Sequence, residues 1–203
     1  MDEELLPYIE NVNDATAQVQ FLKDFGSNKV QDGICLNLVI AWIYFYKQDV
    51  NKAPNLVWNE MKKPFNLKQI AQNHETYLES KKLGIGQLSI DDCVRLYKME
   101  VNNAGPVLIM SAGQIPLFVP PSLRHSKTLL IIIDLSDENG RKNIASHAIG
   151  VIQHDNTIYM YDPNVGILTA PIQYETELLN KIQFIYETKW KNKITGREIC
   201  IID

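Results

Sequence analysis

The sequence has few cysteines and lacks any long apolar run. Its three cysteines, Cys35, Cys93 and Cys200, are odd in number and far apart, so we expect reduced thiols rather than a disulfide framework. No run of apolar residues approaches the roughly 18 that a transmembrane helix requires. The first four residues, MDEE, have none of the basic and apolar character of a secretory signal. The sequence therefore predicts no integral membrane segment and no signal peptide.

The sequence also lacks an excess of positive charge. Lysine and arginine number 20 against 24 aspartate and glutamate residues, which gives a formal net charge of −4 and a pI near 5.6. Nucleic acids and anionic membranes bind basic surfaces, so neither is an expected partner. Hydrophobic residues make up 45% and charged residues 22% of the 203 residues, which is typical of a globular protein. We predict a single domain over residues 1–203.

Motifs for metal and phosphate chemistry are incomplete. His74 and Glu75 begin like the helix of a zinc peptidase, but the second histidine of that motif is absent. The chain has no Cys-x-x-Cys pair of the kind that binds zinc. Residues 84–86, Gly-Ile-Gly, are too short for a phosphate-binding loop and suit a turn after a helix. We therefore predict that the protein uses neither a metal nor an organic cofactor.

Helical patterns fill the first half of the chain. Residues 35–47 are apolar nearly all round, and a helix without a polar face is a buried central helix. Residues 65–82 have a more polar pattern with one apolar side, which predicts a longer surface helix. Ser89 suits the N-cap of another helix that continues to Val101, and Asp92 in its first turn favours the helix dipole.

Strand patterns dominate the second half. Short apolar and β-branched runs are separated by turn residues such as Asp-Glu-Asn-Gly and Asp-Asn. The predicted strands span residues 106–110, 128–133, 144–152, 157–161 and 197–202, with an amphipathic helix over 174–190. We therefore predict an α+β fold in which a helical part, about residues 1–104, packs on an antiparallel sheet, about residues 105–203.

Three residues stand where a cysteine hydrolase would need them. Cys35 lies where a small-residue turn gives way to the apolar helix, His147 lies on a strand, and Asp162 lies at the end of the next strand. This is the order of parts in a papain-like cysteine hydrolase. A helix N-terminus and an imidazolium both lower the pKa of a thiol from its ordinary value of roughly 8.5. A tight turn at residues 155–156 would bring His147 and Asp162 side by side, so that the carboxylate could orient the imidazole.

Each residue alone has a simpler interpretation. A cysteine in an apolar helix is usually inert core packing, a single histidine on a strand is usually structural, and Asp162-Pro-Asn-x-Gly forms a turn by itself. It is the order of the three residues, and the hairpin between the last two, that favours catalysis. A second oxyanion donor usually comes from a side-chain amide just before the nucleophile. Gln31 and Asn28 are candidates, and we prefer Gln31 because it is closer.

The motifs around these residues resemble a known family. Gly-Ile-Cys-Leu-x-Leu-x-x-x-Trp-Ile, then His-Ala-Ile-Gly-Val, then Tyr-Asp-Pro-Asn-x-Gly resemble the YopT-like cysteine peptidases, typified by YopT and AvrPphB. Members of this family are bacterial virulence effectors with a papain-like fold. The resemblance implies that Cys35 is the nucleophile, His147 the base and Asp162 the residue that orients the imidazole. It also implies a protein or peptide substrate from a host, and a secreted effector that acts in the host cytoplasm.

Two other functions are compatible with the same residues. A deamidase, a transglutaminase-like enzyme or an acyltransferase would form the same thioester and differ only in the leaving group or acceptor. A non-catalytic binding module would keep the fold, although its triad would be expected to have decayed. The sequence does not choose a substrate or a cleavage site.

Overall fold

Seven strands and five α-helices make up the part of the chain that the computed structural model describes, which is residues 10–11, 34–82, 89–102, 107–110, 128–139 and 143–203. The helices are α1 (Cys35–Gln48), α2 (Pro54–Met61), α3 (Pro64–Lys82), α4 (Ile90–Arg95) and α5 (Glu175–Lys189). The strands are β1 (Glu10–Asn11), β2 (Val107–Met110), β3 (Thr128–Ser136), β4 (Asn143–His154), β5 (Thr157–Asp162), β6 (Gly166–Pro171) and β7 (Lys193–Ile201). None of the described helices has the length and apolar content to cross a membrane.

All seven strands form one antiparallel sheet. Their order is β1-β6-β5-β4-β3-β7-β2. Strand β4 pairs with β3 along nearly all of its length, but it pairs with β5 only from Gly150 to His154. The first half of β4 therefore extends past the end of β5, and this extension carries His147.

The sheet separates two hydrophobic cores. Alternate side chains of a strand point to opposite faces, so Leu130, Ala148 and Tyr161 face helices α1 to α4. Leu129, Ile149 and Met160 face the other side, where they pack against α5. Helix α1 lies in the middle of the first core. Nine of its residues are buried: Cys35, Asn37, Leu38, Val39, Ile40, Ala41, Trp42, Ile43 and Tyr46.

Close packing of α1 on the sheet depends on Gly150 of β4. A Cβ atom at this position would come within 2.9 Å of Trp42 Cε3 and 3.0 Å of Val39 Cγ1, which is closer than ordinary van der Waals contact. The absence of a side chain lets the helix approach the strand. Gly150 is three residues from His147, so the same contact determines how far α1 stands from the strand that carries His147.

The prediction of an α+β fold is confirmed, with differences at individual elements. The helix that Ser89 caps has the expected capping box with Asp92, but it ends at Arg95 instead of continuing to Val101. Lys98 takes a positive φ of 57°, which a helix cannot accommodate, and Val101 instead bridges to Ile202 at the edge of the sheet. Helix α2 and strand β6 were not predicted because both are short and neither has a strong periodic pattern.

Candidate active site

Cys35 is the first residue of α1, at the end of the helix where backbone N–H groups lack helical acceptors. The residue before it, Ile34, has no side chain that could cap those N–H groups. The Cys35 sulfur instead accepts hydrogen bonds from the backbone N–H of Leu36 and from that of Ala148 on β4, and it is hydrogen-bonded to the ring of His147. The thiol is therefore placed at the junction of the central helix and the extended part of β4.

Two opposing effects act on the pKa of Cys35. Burial by itself raises the pKa, because a thiolate loses solvation in the protein interior. The charge of His147 and the three hydrogen bonds to the sulfur lower it, and the net result is a pKa below the ordinary 9.0. The other two cysteines have no such partner: burial and nearby carboxylates raise the pKa of Cys93 and that of Cys200 to about 12. The structure therefore favours the thiolate at Cys35 alone among the three.

His147 bridges the thiol and the carboxylate. Its side chain is 4% exposed, and its Nε2 donates to Asp162 Oδ1 over 2.9 Å. With Nε2 engaged in this way, Nδ1 is the ring nitrogen that can face the sulfur. Burial alone would lower the pKa of His147, but the charges of Asp162 and Cys35, and the hydrogen bonds to both, raise it to about 10. The imidazolium form is therefore favoured at neutral pH.

Asp162 is fully buried at the end of β5, where the chain turns into β6. Its Oδ1 also accepts the backbone N–H of Asn164 over 2.8 Å, and its Oδ2 accepts the hydroxyl of Tyr186 over 3.1 Å. The contact with Asn164 is the turn geometry that the Asp-Pro-Asn-x-Gly motif predicts. The turn that ends β5 therefore also holds the Asp162 carboxylate in place for its contact with His147.

Aromatic side chains connect this strand to the helical part. Tyr161, next to Asp162, points to the opposite face of the sheet, and its ring lies 5.4 Å from that of Trp42 and 5.9 Å from that of Trp58. Trp42 in turn donates its indole N–H to the Pro54 carbonyl over 3.0 Å. These contacts hold the end of β5 against α1 and α2, so that the strand carrying the carboxylate and the helix carrying the thiol are packed as one unit.

The structure thus brings Cys35, His147 and Asp162 together in one buried chain of contacts. Gln31, the predicted oxyanion residue, lies outside the described residues, as does Asn28. Tyr186 was not identified from the sequence, because on α5 it reads only as one apolar position of an amphipathic stripe. The role of the Ala148 N–H was also missed, since a backbone donor leaves no trace in residue identity.

His74, the partial zinc-peptidase motif, belongs to a different environment. It is buried in α3, where its Nδ1 lies 3.3 Å from the amide nitrogen of Asn37 and its ring stacks on Tyr77. Among the described residues, no group of three or more histidine, cysteine, aspartate or glutamate side chains is arranged to hold a metal ion. In the part of the chain described, His74 serves to pack α3 against α1.

Comparison with known proteins identifies a shared fold. No family model and no curated protein matches the chain. Among solved structures, the crystal structure of the Pseudomonas avirulence protein AvrPphB matches 87% of this chain and 95% of its own, with a TM-score of 0.57 and 10% sequence identity. AvrPphB also typifies the family that the sequence motifs resemble. At this level of identity the match shows the fold alone, and it confirms the predicted papain-like α+β arrangement.

Proposed function

We propose that this chain is a cysteine peptidase in which Cys35 is the nucleophile, His147 the general acid and base, and Asp162 the residue that orients the imidazole. One observation carries the proposal: the buried Cys35 sulfur is hydrogen-bonded to the His147 ring, whose Nε2 lies 2.9 Å from the buried Asp162 carboxylate, and this arrangement lowers the pKa of the thiol although burial alone would raise it. Cys93 is also buried, but burial and the nearby Asp92 carboxylate raise its pKa, with no imidazole to oppose them. Perturbed pKa values of this kind concentrate at functional sites.

The proposed reaction follows from these positions. The Cys35 thiolate attacks the carbonyl carbon of a peptide bond, which forms a C–S bond and places the negative charge on the carbonyl oxygen. The backbone N–H of Cys35, at the start of α1, is one donor to that oxyanion, and the Gln31 amide is proposed from the sequence as the second. His147 then protonates the amine as the C–N bond breaks, which leaves a thioester.

Hydrolysis of the thioester completes the cycle. His147, now neutral, accepts a proton from a water molecule as its oxygen attacks the thioester carbonyl. The C–S bond breaks, the carboxylic acid leaves, and the proton on His147 restores the thiolate–imidazolium pair. Asp162 keeps the imidazole in the orientation that both steps need and stabilises its positive charge.

We further propose that the chain is a bacterial effector that acts on a host protein. The sequence motifs resemble a family of such effectors, and the fold is shared with the Pseudomonas avirulence protein AvrPphB. The motifs cover short segments of the chain, whereas the fold comparison covers most of both chains. The substrate itself is to be found by experiment.

A proteome-wide cleavage assay tests the peptidase proposal. Native host-cell extract would be incubated with the wild-type protein and, in parallel, with Cys35→Ala, and new protein N-termini would be sequenced by mass spectrometry. We expect new termini with the wild type that are absent with Cys35→Ala and present with Cys93→Ala. Deamidated glutamines or amine adducts without new termini would instead identify the deamidase or acyltransferase chemistry of the same triad.

Thiol alkylation provides the readout that needs no substrate. Peptide mapping after iodoacetamide treatment would give separate rates for the three cysteines across pH. We expect Cys35 to react fastest and to keep reacting below pH 7, and we expect His147→Ala to remove this advantage. A Cys35 that reacts as slowly as Cys93, together with no cleaved proteins, would contradict the proposal and leave a binding module.

A further inference from the structure

The hydroxyl of Tyr186 is hydrogen-bonded to Oδ2, the second oxygen of the Asp162 carboxylate. Tyr186 lies on α5 and is 1% exposed, and its hydroxyl donates to Asp162 Oδ2 over 3.1 Å. The same hydroxyl accepts the side-chain amide of Asn164 over 3.4 Å. The carboxylate is thus held at both oxygens: Oδ1 by His147 and the Asn164 backbone, and Oδ2 by Tyr186. A carboxylate held at both oxygens has its plane fixed.

We propose that Tyr186 is a positioning residue, which holds the Asp162 carboxylate in the orientation that faces His147 and so maintains the reactive form of Cys35. This role rests on the proposed function, because it matters only if the Cys35–His147 pair is reactive. Nothing in the sequence resemblance includes α5, which lies beyond the last matching motif at Gly166. The structure brings α5 to the site from the face of the sheet opposite α1.

The surroundings of the tyrosine ring support this role over simple space filling. The ring lies 5.6 Å from the His147 ring at an angle of 50°, and it makes an edge contact with Trp190 at 4.6 Å. Tyr186 therefore covers the imidazole from the α5 side while its hydroxyl reaches past the ring to the carboxylate. A phenylalanine at this position would cover the imidazole equally well. The hydrogen bond from the hydroxyl to Asp162 therefore points to a role beyond packing.

The chemistry of a buried carboxylate gives the direction of the effect. A carboxylate that loses the donor at one oxygen is free to rotate, and rotation weakens the hydrogen bond and the charge contact by which Asp162 raises the pKa of His147. In the described part of the chain, the titratable groups that have a charge interaction with Asp162 are His147 from β4, Tyr186 from α5 and the neighbouring Tyr161, and Cys35 from α1 interacts in turn with His147. Of these only His147 is cationic, so no other positive charge would replace the lost donor. A weaker contact with Asp162 lowers the pKa of His147, and the Cys35 thiolate then loses part of the positive charge that favours it.

The test compares two buried tyrosines. Tyr186→Phe removes the proposed donor and keeps the ring. Tyr97→Phe is the matched control, because Tyr97 is also buried and its hydroxyl donates to a backbone carbonyl instead of the Asp162 carboxylate. That carbonyl belongs to Asn37, over 3.3 Å, two residues after Cys35 on α1, so the control also removes a hydroxyl that contacts the helix of the thiol. Cys35 alkylation would be measured by peptide mapping across pH for the wild type and both variants, and their thermal unfolding would be recorded in parallel.

We expect the acid limb of the Cys35 profile to move up by about one pH unit in Tyr186→Phe and to stay in place in Tyr97→Phe, although both variants lose some stability. An unmoved acid limb in folded Tyr186→Phe, or an equal shift in Tyr97→Phe, would overturn the role. If Tyr186→Phe does not fold, Asn164→Ala decides the question, since it removes the donor behind the Tyr186 hydroxyl; we expect a smaller upward shift, and no shift would overturn the role. A wild-type Cys35 that reacts like Cys93 would instead contradict the proposed function itself.

Discussion

At the scale of single residues, the site consists of charges that each depend on the next. The Cys35 thiolate is favoured because His147 is positive, and His147 is positive because Asp162 is negative and buried beside it. None of these side chains would carry its charge alone at this degree of burial, because an isolated buried charge shifts its pKa and neutralises. A change in one member is therefore expected to appear as a change in the titration of the others.

Asp162→Asn tests this dependence directly. The amide keeps the shape of the carboxylate but removes its charge, so the pKa of His147 should fall and that of Cys35 should rise. We expect the rate of Cys35 alkylation at neutral pH to fall roughly tenfold or more, since each pKa unit is a factor of ten in the ionised fraction. Peptide mapping after timed iodoacetamide treatment measures the rate.

Asp155→Asn is the matched control for that change. Asp155 lies beside His154 on the same hairpin, but its side chain is 90% exposed and its contact with the imidazole is longer, at 3.7 Å. We expect this variant to alkylate at the wild-type rate. Equal losses in the two variants would mean that the effect comes from net charge rather than from the contact between Asp162 and His147.

At the scale of secondary-structure elements, the distance between α1 and β4 determines whether thiol and imidazole meet. Both elements were identified from sequence, α1 because its apolar run is long and lacks a polar face, and β4 because a short apolar run lies between turn residues. Their separation could not be predicted, because it depends on which side chains interpose. In the structure Gly150 has no side chain to hold the two elements apart, and the edge of the Trp42 ring lies directly over it.

Gly150→Ala should push these elements apart. The new methyl group would lie about 3 Å from Trp42 and Val39, and overpacking of this kind costs about 1–3 kcal/mol of unfolding free energy. We expect lower stability in urea denaturation and slower alkylation of Cys35, because the helix start moves with the helix. Trp42→Phe should relieve part of the clash, so the double variant should lose less stability than the sum of the two single changes. Strict additivity would argue that the helix does not move.

At the scale of the whole molecule, the triad joins the two hydrophobic cores across the sheet. Cys35 belongs to the core on the α1 face, whereas Tyr186 belongs to the core on the α5 face. His147 and Asp162 connect the two faces where β4 extends past β5. A buried ionic group in this position links the stability of the entire fold to pH, because folding changes the protonation of both Cys35 and His147.

Removal of the Cys35 thiol should reveal this linkage. The pKa of His147 is about 10 in the folded chain and 6.5 in an unfolded chain. The stabilisation that comes from the protonated His147 is therefore full below pH 6.5 and is lost as pH rises toward 10. Cys35 has the opposite effect, because its pKa is lowered from 9.0 and its contribution is lost as pH falls through the folded value. In the wild type the two effects offset each other between the lowered Cys35 pKa and pH 9.

We therefore expect the free energy of unfolding of the wild type to change little with pH above neutrality. For Cys35→Ser we expect it to decline as pH rises, by up to about 1.4 kcal/mol per pH unit. Urea denaturation at several pH values up to 9, under reducing conditions, measures both curves. Parallel curves for the two proteins would contradict a charged Cys35–His147 pair in the folded state. Cys93→Ser provides the control, because the pKa of Cys93 is raised rather than lowered.

The sequence by itself determined the kinds of elements and indicated the residues that are proposed to carry chemistry. An apolar run without a polar face indicated a buried helix behind Cys35, turn residues indicated the hairpin between His147 and Asp162, and the order of the three residues indicated a papain-like fold. These features are local, because each depends on residues that are close together along the chain. The end of α4 was predicted wrongly, because the helix stops before Val101. The bridge that Val101 forms instead, with Ile202, joins residues about a hundred positions apart along the chain.

The tertiary structure alone decided what surrounds those residues. The second oxygen of Asp162 is held by Tyr186 from a helix on the far face of the sheet, and the Cys35 sulfur accepts a backbone N–H from Ala148 on a strand more than a hundred residues away. A tyrosine in an amphipathic stripe and an alanine in a strand have no distinguishing pattern in sequence. Such partners are set by sheet register and by packing distance, and both emerge only when the whole chain folds.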